Sequence, residues 1–167
     1  MTALNFPASP SDGDTYSAAG RTWKWSASTS SWNVQGIELD LATAAQFLAD
    51  TSGKVLSTDP VWTAAEKVAL TDASTIAVDF STFINATVTL AGNRTLGNPS
   101  NAKEGQTGAI EIKQDATGSR TLAFGSYWKF AISTAPTLST AANARDVLFY
   151  QVLSSTEVLG ILTKAVA

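Results

Sequence analysis

From residue 73 onward, apolar and polar positions alternate with the two-residue period of a half-buried β-strand. The pattern is clearest at residues 76–80, 87–90 and 109–113, and turns rich in Gly, Asn and Ser separate these stretches. Short strands separated by such turns are typical of an antiparallel β-sandwich or jelly roll. We therefore expect a mainly β chain with one β-sandwich domain over residues 73–167.

Two later stretches, 147–153 and 158–162, are apolar at nearly every position. Strands of this kind are typical of a sheet that is covered on both faces. One cover would be the core of the domain, and the other could be a second subunit. The predicted interface residues on these strands are Leu148, Tyr150, Val152, Leu159 and Ile161.

Residues 1–36 have a different pattern, with turn signals followed by the alternating segment that contains Trp23 and Trp25. Trp32 begins a further short strand, so this part is predicted to be a small β-meander that serves as an attachment module. The three tryptophans are candidate interface residues, because aromatic side chains bury the most area. A sugar-binding surface is the alternative use of such rings.

Residues 37–72 are predicted to form a linker with two short helices. The first would span 41–49, capped by Asp40, and the second 61–68, following Pro60. Helices of this length are unstable alone, so they should pack on the β-domain or on partner chains.

Charged residues make up only 15% of the chain, and the net charge is −3 without a basic cluster. Nucleic-acid binding, which needs a basic stripe, is therefore not expected. The N-terminus lacks the pattern of a signal peptide, and no apolar run approaches the roughly 18 residues of a membrane helix. The absence of His and Cys excludes Ser-His-Asp catalysis and imidazole or thiolate metal sites. No cofactor is predicted.

Scattered carboxylates are the remaining candidates for catalysis, since glycoside hydrolysis needs two acids. Asp79, Glu111, Asp115 and Asp146 each lie beside a turn or on an alternating strand. We interpret them as solvated strand faces or turn caps, and the 12–14 Asp-Gly-Asp segment as a turn rather than a calcium loop.

The β-region contains two related four-residue segments, Asn-Arg-Thr-Leu at 93–96 and Ser-Arg-Thr-Leu at 119–122. Arg94 and Arg120 occupy equivalent places in them. We predict a structural role for both, with each guanidinium paired to a carbonyl or a carboxylate.

Three segments resemble proteins of tailed bacteriophages. Residues 6–16 with the following tryptophans are similar to a module repeated in tail-fibre proteins, and residues 46–71 resemble a linker common in phage virion proteins. The third segment, which includes 89–99, 114–122 and 128–130, is similar to a C-terminal domain of tail-fibre and virion structural proteins.

The resemblance implies a non-enzymatic virion structural protein on the particle exterior, made in the host bacterial cytoplasm. At 167 residues, a short tail fibre or tail adaptor is expected. It would form a homotrimer, contact other virion proteins and could bind host surface glycan. A capsid decoration protein (cement or head fibre) and a polysaccharide-degrading enzyme are the alternatives.

Overall fold

The computed structural model describes residues 5–18, 20–35 and 40–166, which form two compact units, 1–40 and 41–167. The boundary predicted at 36/37 lies outside the described residues. The strands are β1 (Thr15–Ala18), β2 (Arg21–Ser26), β3 (Ser31–Val34), β4 (Lys67–Ala69), β5 (Thr75–Ile76), β6 (Asn85–Leu90), β7 (Arg94–Leu96), β8 (Thr107–Gln114), β9 (Leu122–Phe124), β10 (Trp128–Lys129), β11 (Arg145–Ser154) and β12 (Glu157–Thr163). The helices are α1 (Ala44–Leu48) and α2 (Thr58–Ala65).

The first unit is an antiparallel meander in the order β1-β2-β3. Tyr16 pairs with Trp23 and Trp25 pairs with Trp32 across it, so the large rings of neighbouring strands lie side by side. Asp12 and Asp14 accept backbone N–H groups at the turns, as predicted for this segment. The predicted mainly β chain with an N-terminal meander and two short helices is confirmed.

The chain of the second unit winds through three parallel coils. β4, β6 and β8 pair in parallel within a six-stranded sheet, and β5, β7 and β9 pair in parallel within a three-stranded sheet. Each strand of the first set is followed along the chain by one of the second set, so every coil contributes to both sheets. The antiparallel β11–β12 hairpin continues the larger sheet beside β8, with β10 parallel to β12 at the edge.

This pairing differs from the antiparallel sandwich or jelly roll that the alternation indicated. A two-residue period reports that one face of a strand is buried, and it is the same for both strand directions. The connections between the parallel strands are short strands and turns, without the crossover helix that usually signals a parallel sheet. β4, which precedes the boundary predicted at 72/73, also pairs within this unit.

Side chains at the bends link one coil to the next or close the bend within one coil. The Arg94 guanidinium donates to both Asp72 carboxylate oxygens, at 2.8 and 2.6 Å, and so links the first coil to the second. Arg120 donates from two nitrogens to one oxygen of Asp115, at 3.1 and 2.7 Å. The predicted pairing of both arginines is confirmed. Asn85 adds a further link by accepting from the Ala109 N–H in the third coil.

The core lies between the two sheets of the second unit. Its members are apolar residues that the alternation predicted to face inward, together with aromatic residues from the connections. The largest fully buried side chains include Ile76, Phe80, Phe83, Leu90, Leu96, Ile110, Ile112, Leu148, Val152 and Val158.

Both helices are offset from their predicted spans. α1 begins later than predicted because Thr43 and Gln46 form a reciprocal capping box. Its predicted cap, Asp40, lies upstream, and Leu41 instead forms a bridge with Val55. α2 begins and ends earlier than predicted. It ends at Ala65 because Glu66 has an extended backbone conformation and leads directly into β4.

Candidate interaction surface

The six-stranded sheet has one face on the core of the second unit and an outer face on which large apolar side chains of the hairpin are exposed. The registers place alternate residues of β4, β6, β8, β11 and β12 on this outer face. From the hairpin toward the opposite edge, one row reads Ile161, Phe149, Ala109, Asn85 and Lys67. The face is therefore apolar at the hairpin and polar toward β4.

The apolar half is formed by the hairpin. Ile161 is 61% exposed, Phe149 50% and Leu153 44%. A shallow groove of about 460 Å³ runs beside the first two, lined also by Leu159 and Gln151. Large apolar side chains thus lie contiguously on the surface, and such patches mark interaction sites.

The polar half is organised around Glu111, whose side chain is only 6% exposed. Its carboxylate lies 2.8 Å from the Lys67 ammonium, 2.8 Å from the Arg145 Nε and 3.6 Å from the Lys113 ammonium. The hydrogen bond from Lys67 lowers the pKa of the Glu111 carboxyl, and the charges of Lys113 and Arg145 add to that effect, while burial opposes it. Glu111 is therefore an ionised, enclosed carboxylate, which corrects its interpretation as a solvated position.

The predicted interface residues of the hairpin divide between the two faces. Leu148, Tyr150 and Val152 are buried in the core of the chain itself. Leu159 and Ile161 lie on the outer face. Gly108 on the neighbouring strand leaves room for the inward ring of Tyr150, because a Cβ at position 108 would lie 2.7 Å from the tyrosine hydroxyl oxygen. That hydroxyl donates to the Ile84 carbonyl at 2.7 Å.

The predicted aromatic residues of the meander pack against one another in the first unit. Trp23 is buried, and its ring lies 5.3 Å from that of Phe6 in an edge-to-face arrangement. Trp32 stacks on Phe6 at 5.3 Å and contacts Trp25 at 5.6 Å. These rings form the small core of the meander, and only part of Trp25 and Trp32 reaches the surface.

Of the remaining candidate carboxylates, Asp79 and Asp115 are engaged in turns, as predicted. Asp146 is buried on β11, which corrects its interpretation as a solvated position. Asp79 accepts from Asn101 and Ser81, and these hydrogen bonds lower its pKa. The pKa of Asp115 is lowered by the hydrogen bond from Arg120. Asp146 accepts the backbone N–H groups of residues 139 and 165, at 2.7 and 2.8 Å. A general acid needs a raised pKa, and the shifts at Asp79, Glu111 and Asp115 have the opposite direction.

Within residues 5–18, 20–35 and 40–166, no group of three or more acidic side chains could hold a metal ion. In the same ranges, no helix is long and apolar enough to cross a membrane.

Sequence reasoning missed the three cations around Glu111 and the outward position of Phe149. Lys67 lies 44 residues from Glu111 along the chain, so no local pattern connects them. The hairpin is apolar at both odd-numbered and even-numbered positions, so its pattern could not show which residues face the core. The signal that could have done so is Gly108, because a residue without a side chain on the neighbouring strand marks the side where the Tyr150 ring enters the core.

Comparison with known families gives one match. Residues 79–154, which run through β6 to β11, match the family described as "Putative phage tail fibre C-terminal domain". No curated protein and no solved structure matches the chain. The predicted resemblance to tail-fibre proteins of tailed phages is confirmed, and the chain is tail-fibre-like over the second and third coils and the first strand of the hairpin.

Proposed function

We propose that this chain is a non-enzymatic structural protein on the exterior of a tailed-phage particle, of the short tail-fibre or tail-adaptor type. The match to a tail-fibre domain supports a virion component that associates with other virion proteins. The family match over residues 79–154 carries the proposal. In this arrangement residues 1–36 would attach to the particle, and residues 73–167 would project as part of a homotrimer.

The non-enzymatic part of the proposal is supported by the state of the carboxylates. Each of the four acids considered for hydrolysis is held by cations or by backbone and side-chain N–H groups. None of these contacts leaves a protonated carboxyl opposite a free carboxylate, which is the arrangement that glycoside hydrolysis uses. Incubation with host polysaccharide should therefore release no reducing sugar, and release above that of a heat-denatured sample would contradict this part.

Immunogold labelling of intact particles of the encoding phage tests the location. We expect gold at the tail, and particles that lack the chain should adsorb poorly to the host if it also contacts surface glycan. Gold on the head, with normal adsorption and reduced heat resistance of the null particles, would replace this proposal with capsid decoration. Absence of the chain from purified particles would refute both.

A further inference from the structure

The outer face of the six-stranded sheet has the composition of an interface on one half and of a solvated surface on the other. A sheet face in water normally carries polar residues, and β6 follows this rule with Asn85, Thr87 and Thr89. The hairpin does not follow it. Its outer positions include the apolar residues Val147, Phe149, Leu153, Leu159 and Ile161, and the polar ones are Arg145, Gln151, Glu157 and Thr163.

The polar half beside this patch carries excess positive charge. Glu111 is surrounded by three cations, whose side chains keep 56% (Lys67), 39% (Lys113) and 48% (Arg145) of their exposure. One carboxylate cannot neutralise three cations, so two positive charges remain on a chain whose net charge is −3. The apolar patch is thus bordered by a cationic area that suits an acidic partner.

From these observations we infer that a second copy of this chain covers the outer face, with Phe149 and Ile161 in the apolar half of the contact. The copy is the acidic partner, because the surface outside its own cationic face carries the excess negative charge of a chain whose net charge is −3. Apolar residues bordered by charged residues are the usual anatomy of an interface. The inference rests on the proposed homotrimer and assigns the surface through which the copies meet.

The size of the face is sufficient. Five strands about 4.8 Å apart give a width of roughly 24 Å. The strands range from three residues in β4 to ten in β11, and their mean of about seven residues at about 3.4 Å gives a length of roughly 23 Å. Covering this face and an equal area of the partner removes about 1,100 Å² from water, above the roughly 1,000 Å² that a specific interface needs.

The test is the mass of the full chain in solution by size-exclusion chromatography with light scattering, at tens of micromolar. Ile161→Asp places a charge in the apolar half of the contact, and we expect a dissociation constant at least about 30-fold higher. Ile132→Asp is the matched control, because it makes the same exchange at a residue that is 93% exposed and lies outside the face. The wild type and the control should be oligomers, while Ile161→Asp should be a monomer with an unchanged far-UV circular dichroism spectrum.

A second measurement covers the case in which Ile161→Asp does not fold. The chain has no cysteine, so Ile161→Cys and Ile132→Cys each introduce a single thiol. Maleimide should label the thiol at position 161 slowly in the oligomer and quickly after dilution, whereas the thiol at position 132 should react quickly in both conditions. A folded Ile161→Asp oligomer of wild-type mass, equal labelling rates in the oligomer, or a monomeric wild type would overturn the inference. Labelling of particles tests the virion role independently of all three results.

Discussion

Replacing Glu111 with Gln removes the negative charge from the centre of the cationic cluster and keeps the shape of the side chain. Two of the three ion pairs that Glu111 forms have N–O distances of 2.8 Å, and the one with Lys67 is a charge-assisted hydrogen bond. The substitution abolishes the ionic character of all three pairs. Leaving a buried pair without one partner costs about 3–5 kcal/mol, but solvent screens the half-exposed cations and reduces this cost. We therefore expect the free energy of unfolding at pH 7 to fall by about 2–3 kcal/mol.

Urea unfolding followed by far-UV circular dichroism measures this change, at a fixed protein concentration because association contributes to stability. In a thermal scan, the same loss lowers the midpoint by about 6–15 °C, at roughly 3–5 °C per kcal/mol for a unit of this size. Glu157→Gln is the matched control, since Glu157 is exposed at the tip of the β11–β12 hairpin. It should change the stability by no more than about 0.5 kcal/mol.

The pH dependence distinguishes loss of charge from a general packing defect. The pKa of Glu111 is lowered in the folded chain by Lys67 and the neighbouring cations, so its stabilising effect is complete above the unfolded value of about 4.3. That effect is lost as the pH falls through the lowered folded pKa. The gap between wild type and Glu111→Gln should therefore be constant near neutrality and close in acid. A gap below about 0.5 kcal/mol at pH 7, or one that persists unchanged to about pH 3, would refute the reasoning.

Three further substitutions test the interior. Gly108→Ala should destabilise by about 3 kcal/mol or more, because its Cβ would lie 2.0 Å from the Ile84 carbonyl oxygen. Gly105→Ala meets no atom within 4 Å and has a φ of +85°, so it should cost only about 1 kcal/mol; chemical denaturation compares the two, and equal losses would contradict the clash. Tyr150→Phe should cost about 1–2 kcal/mol by leaving the Ile84 carbonyl without its donor, and an unchanged urea midpoint would argue against that bond. Leu148→Asp buries a charge in the core and should give insoluble protein; a folded spectrum would contradict the assignment of that face.

The sequence predicted which residues are buried better than how the strands pair. Alternation correctly placed Ile76, Val78 and Phe80 inside, because the period of a strand is a local property. The pairing of Arg94 and Arg120 with acceptor groups was also predictable, since a guanidinium in a polar turn needs an acceptor. The relative direction of paired strands was not predictable from the sequence, because parallel and antiparallel strands share the same alternation.

The candidate surface was predicted only in part. The apolar hairpin signalled a second cover, but the pattern did not decide whether Leu148 or Phe149 faces outward. The face that each residue takes depends on the register with β8, where Gly108 leaves room for the Tyr150 ring. The charged half depends on Lys67 meeting Glu111 from another coil. Contacts that span many residues are set by the whole fold, so a local pattern does not reveal them.

The parallel stacking of coils has a consequence for how this body could evolve. Lys67, Asn85 and Ala109 occupy the same place on successive coils, and each coil contacts mainly its neighbours. Duplicating a segment of about 20 residues would therefore insert another coil while leaving the helices at one end and the hairpin at the other unchanged. The length of the body can change in whole steps through gene duplication, and the surface formed by the hairpin would be inherited intact.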